Sequence, residues 1–251
     1  MNEFTQYFEF ATMPLLVSRE CNLPDIVSLK MLGVAGVLSY AAARLAAKAG
    51  VIGYSRLALV SVPLTGMPAM PRGFTVRELS FNTLSQYVID VPPSVQADRF
   101  GQGLICLGAF NAKQELVGVT WVGVGAYTES VVHVRFVIPA NAAWDCGLWI
   151  APQYRLGRGF AALWAGTAEW MRLHNRQHSV SWISDFNLPS LLSHRRMGAQ
   201  MIGHLTAFRF FRWQFIANSM PRLVRTDSSR PAALELSIPQ TVWTSTRRDM
   251  A

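Results

Sequence analysis

Charge is scarce in this sequence, and acidic charge is the scarcer kind. Only 15% of its 251 residues are Asp, Glu, Lys or Arg, against roughly a quarter in an ordinary soluble domain. Hydrophobic residues make up 51%, and some of the surface is therefore expected to meet something apolar. The 15 acidic residues face 23 basic ones, a formal net charge of +8. That balance favours anionic partners such as nucleotide phosphates, acidic carrier proteins or anionic lipid. The basic residues are scattered and carry no zinc-finger, basic-zipper or RNA-recognition signature, so nucleic acid is not an expected partner.

Cysteine is nearly absent too. Cys21, Cys106 and Cys146 are widely spaced and form no CxxC pair, which argues against a redox couple and reads as buried thiols in a reducing compartment. The five histidines show no metal-ligand spacing, and no metal is expected. A basic N-terminal start is missing, since Glu3 and Glu9 precede any apolar run, and the expected location is cytoplasmic. Long hydrophobic runs are also missing. The uncharged stretch from Met31 to Ala43 falls short of the roughly 20 residues a spanning helix needs. Two readings stay open for it. Arg44 and Lys48 lie four residues apart, so residues 26–49 could form an interfacial helix in peripheral membrane contact; the other reading is a helix packed on the core.

What is present is an informative order of elements. The reading is an α/β (α+β) protein with three parts: an N-terminal helical extension and linker (1–70), a core domain (71–217) and a C-terminal tail (218–251). The extension is helical to about Gly50, and Arg56 to Val62 reads as a short strand before the proline-rich linker. In the core, Phe74 to Leu79 is a strand, and Asn82 to Val91 and Ser94 to Phe100 are short helices. Leu104 to Phe110 and Leu116 to Ala126 form a hairpin, and Val131 to Val137 is another strand. Trp144 to Ala151 is a strand, Phe160 to Leu173 a helix, Ser179 to Ser184 a strand and Leu188 to Met197 a helix. Ala199 to Ile216 supplies two closing strands joined near Gly203 or a few residues beyond. The tail keeps strand character at Ala233 to Ile238.

Between the strand ending at Ile150 and the helix at Phe160 lies Tyr154-Arg155-Leu156-Gly157-Arg158-Gly159-Phe160-Ala161. A glycine-rich turn at a helix N-terminus presents unpaired N–H groups to an anion, and pyrophosphate fits such a nest. Gly157 and Gly159 permit close approach, Ala161 keeps the first turn slim, and Arg155 and Arg158 add positive charge. Taken alone, the loop is equally a plain turn, or the opening of a dinucleotide fold if it followed the first strand.

The order β-α-α-β-β-β-loop-α-β-α-β-β, with Arg155 to Ala161 and the later helix start Asn187-Leu188-Pro189-Ser190, resembles the GNAT (N-acetyltransferase) superfamily over about Gly73 to Ile216. The family's turn is R/Q-x-x-G-x-G/A; here Leu156 replaces its Arg or Gln. The resemblance implies a mixed, mostly antiparallel central sheet flanked by helices. It also implies acyl transfer from acyl-CoA, acetyl or longer, to a small-molecule primary amine by direct attack on the thioester. The cofactor-binding set it implies is Ile150, Arg155, Gly157, Arg158, Gly159, Phe160, Ala161, Asn187 and Ser190. Two alternatives stand beside it: a long-chain N-acyl amino acid synthase-like enzyme fed by acyl carrier protein, and a catalytically idle binding module.

The family's base is a carboxylate on the strand before the loop, and Asp145 is the one carboxylate there. Alternation puts Asp145, Gly147 and Trp149 on one face. Burial beside the tryptophans would raise the Asp145 pKa toward a useful base; the other reading is an edge residue paired with an arginine. His194 stands where the family commonly has a Tyr that protonates the departing thiolate. A histidine can serve as that acid near neutral pH, or it is a solvated residue beside Arg195 and Arg196. Asn187 is read as a contact to the CoA arm, as a helix cap, or as both.

Overall fold

The computed structural model describes residues 34, 36–38, 40–42, 44, 45, 52–155 and 158–238. The first group is helical. Its Tyr40 ring packs edge-on against Phe186 at 5.7 Å, and Val34, Leu38 and Leu45 are exposed. No helix among the described residues is long and apolar enough to cross a membrane.

The strand β1 (Ile52–Pro63) is apolar on both faces and buried from Leu57 to Val62, the pattern of a strand covered on both sides. It pairs antiparallel with two later strands, β8 (His178–Ser184) and β9 (Gln200–Phe210). The short strand expected at Arg56 to Val62 is thus longer and central. It belongs to the sheet, and a boundary at residue 70 would divide it from its partners.

After β1 the chain runs through β2 (Phe74–Leu79), α1 (Phe81–Leu84), α2 (Pro93–Gly101), β3 (Ile105–Asn111) and β4 (Leu116–Gly123). Ser80 caps α1 by accepting from the Thr83 N–H. The helix expected over Asn82 to Val91 stops after one turn at Leu84. Asn111 folds the β3–β4 turn by accepting from the N–H groups of Lys113 and Glu115, the usual device of Asn in turns. The segment expected as one strand to Ala126 breaks at Gly125, which has φ +80°. Its end becomes β5 (Ala126–Glu129), and β6 (Val134–Val137) follows.

The remaining elements are β7 (Ala142–Ile150), α3 (Gly159–Leu173), β8, α4 (Leu188–Arg196), β9, β10 (Trp213–Ile216), β11 (Leu223–Arg225) and β12 (Ala232–Glu235). The β9–β10 turn falls at Phe211 and Arg212 rather than near Gly203. Among the described residues nine strands form one sheet in the order β11-β10-β9-β1-β8-β7-β4-β3-β2. All its pairs are antiparallel except β7–β8. A small sheet, β12-β6-β5, covers one face of it, where Phe136 stacks on Trp144 at 4.8 Å. Helix α3 covers the other face through Trp164, Ala168 and Met171. This is the mixed, mostly antiparallel sheet flanked by helices that the resemblance implies, with β1 inserted among the strands of the core.

Candidate active site

The parallel pair β7–β8 joins only three residue pairs: Ala142 with His178, Ala143 with Ser179, and Trp144 with Val180. Beyond Trp144 the two strands part, and their backbones open a gap in the middle of the sheet. A second irregularity keeps β7 on its outer partner. The β4–β7 register shifts between Val119 and Trp121, and Gly147 lies at φ +64°. The positive φ favours glycine, and a Cβ there would come within 2.1 Å of the Arg99 guanidinium, which stacks over Trp121 at 4.5 Å.

The bulge changes which side chains share a face. Simple alternation groups Asp145, Gly147 and Trp149. In the structure Trp149 packs with Trp144 and Cys146 in the core beneath the small sheet, and Ile150 returns to the α3 side with Ala162 and Leu163. Two residues opposing one on the partner strand shift the parity of everything after them.

Asp145 is the first residue of β7 beyond its pairing with β8 and is 6% exposed. It is no edge residue paired with an arginine. The Ser179 hydroxyl donates to its Oδ2, and Ser181 stands by the same carboxyl with a buried hydroxyl that makes no bond of normal geometry. Burial pushes the Asp145 carboxyl above the usual carboxylate range, while the His194 charge and the Ser179 hydrogen bond act against that rise. His194, on α4, is the source of that charge. It is 7% exposed, not the solvated residue of the alternative reading. Its Nδ1 lies 2.7 Å from the Ser190 carbonyl oxygen. A carbonyl only accepts, so Nδ1 carries a hydrogen and donates it there, which leaves Nε2 as the other ring nitrogen. The ring stands edge-on to Trp164 at 5.2 Å.

At the head of α3 no side chain caps the helix and no acidic residue occupies its first turn. Gly159, Phe160 and Ala161 form its first turn, and the N–H groups of a helix's first turn are those that receive an anion. Gly159 has a packing role as well. A Cβ on it would sit 2.5 Å from Val117 Cγ1, so its absence lets the helix start directly against β4. Phe160 is half-buried and packs on Trp164. Arg155 donates from Nε to the Ile150 carbonyl, and Arg158 lies 5.7 Å from the Phe74 ring. Leu156 and Gly157 lie outside the described residues. Asn187 is the cap of α4, accepting from the Ser190 N–H.

Sequence reasoning missed Ser179 and Ser181, although small hydroxyls at alternate positions of a buried strand were a readable sign. It also missed a cavity of about 390 Å³ beside the loop, lined by Arg72, Phe74, Lys113, Tyr154 and Arg158 among others. Tyr154 is fixed there by donating to Glu115 at 2.6 Å. Cys106 and Cys146 are poor nucleophiles, since burial pushes both thiols up to about 12. Among the described residues no cluster of three His, Cys, Asp or Glu could hold a metal.

No protein-family model and no curated protein matches the chain. Solved structures do. A tandem GNAT protein from the clavulanic acid biosynthesis pathway shares 14% identity at a TM-score of 0.44, over 70% of this chain and 55% of that one. A GCN5-related N-acetyltransferase from Kribbella flavida shares 13% identity at 0.41, over 71% and 63%. Another from Sphaerobacter thermophilus shares 15% at 0.40, over 67% and 55%. The chain thus spans less than two thirds of each of these structures.

Proposed function

We propose that the chain is a GNAT-type N-acyltransferase that moves an acyl group from acyl-CoA to a primary amine of a small molecule. The observation that carries this reading is the break in the β7–β8 pair after Trp144 and Val180, with a buried carboxylate and histidine at its foot and an uncapped helix N-terminus beyond it. A pantetheine arm needs such a gap to bring its thioester to the sheet's centre, and a pyrophosphate needs such a helix end.

In this reading the N–H groups at Gly159, Phe160 and Ala161 receive the pyrophosphate, with Arg158 nearby. Arg72 and Lys113 offer further positive charge to the nucleotide end. The amine attacks the thioester carbonyl, a C–N bond forms and the C–S bond breaks. Asp145 takes the proton the amine loses, and the protonated Nε2 of His194 gives one to the departing sulfur. Tryptophan and the surrounding apolar core keep water from the thioester. Asn187 and Ser190 serve by holding α4, and with it His194.

The test is to incubate the protein with acetyl-CoA and longer acyl-CoA esters and a panel of primary amines, following free thiol and the mass of the acylated amine. Amine-dependent thiol release with a matching mass shift supports the reading. CoA binding without thiol release from any pair would instead make the chain a binding module.

A further inference from the structure

The outer end of the large sheet is apolar where it faces away from the core. Ile52 pairs with Phe210 and Phe210 with Trp213, which pairs with Arg225. The next row runs Tyr54, Phe208, Phe215 and Leu223. Residues two apart on a strand share a face, so the two rows form one continuous surface. Phe208, Phe210, Trp213, Phe215 and Leu223 are all between 43% and 57% exposed. The opposite face of the same strands carries Ala207, Ile216 and Val224, all buried in the core.

The turn at the tip is unusual in a second way. Phe211 is 63% exposed and lies at φ +51°, a left-handed conformation that suits Gly or Asn and costs an aromatic residue. A large apolar side chain is thus held in water, on a backbone that disfavours it. Arg212 follows it in the turn, Arg225 lies over the Trp213 ring at 6.0 Å, and Arg222 precedes Leu223. From Phe186 to Thr226 the sequence has six arginines and no acidic residue; Asp227 bonds Arg225 at 2.8 Å and reaches Arg212 at 3.7 Å.

We propose that this aromatic, arginine-rimmed sheet end docks on an anionic phospholipid surface, with Phe211 and Trp213 entering the headgroup region. Aromatic rings and basic side chains side by side match an interface that is apolar below and negatively charged above. A second copy of the chain fits less well, because two-fold pairing would set arginines against arginines. Arg56, on β1 between this patch and the core, bonds Asp185 just after β8 at 3.0 Å. The patch therefore lies at the end of the sheet toward which β7 and β8 open.

The experiment is co-sedimentation of the full chain with phosphatidylcholine vesicles, with and without phosphatidylserine, at low and high salt. Binding should need phosphatidylserine and weaken as salt rises. Phe211→Asn removes the ring and suits the left-handed backbone, so it should raise or keep the melting temperature while lowering vesicle affinity roughly tenfold, the scale of one buried Phe side chain. Trp213→Ser should do the same to affinity, and Arg212→Gln with Arg225→Gln should flatten the salt dependence. The proposal is overturned if the chain ignores anionic vesicles. It is also overturned if it binds them equally well after these substitutions, or if Phe211→Asn instead dissolves a dimer seen by light scattering.

Discussion

Asp145 owes its chemistry to its surroundings. Burial raises its pKa, so the folded state binds a proton more tightly than the unfolded chain does. Stability from this source is complete below the unfolded pKa near 4 and is lost as pH rises through the higher folded pKa. Asp145→Asn keeps a partner for Ser179 and removes the titration. Its melting temperature should match that of the wild type in acid and exceed it increasingly as pH rises through that window, as calorimetry across pH would show. For His194 the expectation is kinetic. His194→Ala should lose on the order of 10²-fold in turnover with CoA affinity kept, and His194→Tyr should recover part of the rate. Wild-type turnover in His194→Ala, with chemistry rate-limiting, would remove the acid role. The sequence order of strand, loop and helix places Asp145 on β7 and His194 on α4, where the structure has them. Ser179 and Ser181 were not, because their role depends on a strand pairing distant in sequence.

At the scale of elements, the loop and α3 combine two demands. Anion binding asks for free N–H groups at the helix end, and packing asks for no side chain where the helix meets β4. The sequence assigns Gly159 only the close approach of an anion. With Val117 Cγ1 only 2.5 Å from a Cβ placed there, Gly159→Ala should itself cost about 1–3 kcal/mol through overpacking. Val117→Ala should relieve much of that cost, and a double-mutant cycle of denaturant unfolding would read the coupling. Additive effects would contradict the packing account. The face assignment after Asp145 was out of reach of the sequence for a similar reason. Gly147 admits either a regular strand or a bulge, and the Arg99 guanidinium that settles the matter comes from a helix some 50 residues earlier.

For the whole molecule, the sheet depends on a strand that the sequence seemed to assign to an extension. β1 pairs with β8 on one side and β9 on the other, so removing it would leave two buried strand edges without partners. Deletion of residues 1–51 should leave a cooperatively melting protein, whereas deletion through Pro63 should abolish the transition; survival of the shorter chain would show that the sheet closes without it. The strand's apolar run was visible in the sequence, but its neighbours were not, since strand order is set by contacts more than a hundred residues apart.

The central claim is that a thioester held between β7 and β8 is attacked by an amine whose proton passes to Asp145. The most direct measurement is the pH profile of amine-dependent thiol release from acyl-CoA by the wild type and by Asp145→Asn. The account predicts an acid limb in the wild type that lies above the usual carboxylate range, because burial raises this group, and loss of that limb together with most of the rate in Asp145→Asn. Equal rates and superimposable profiles for the two proteins would contradict it.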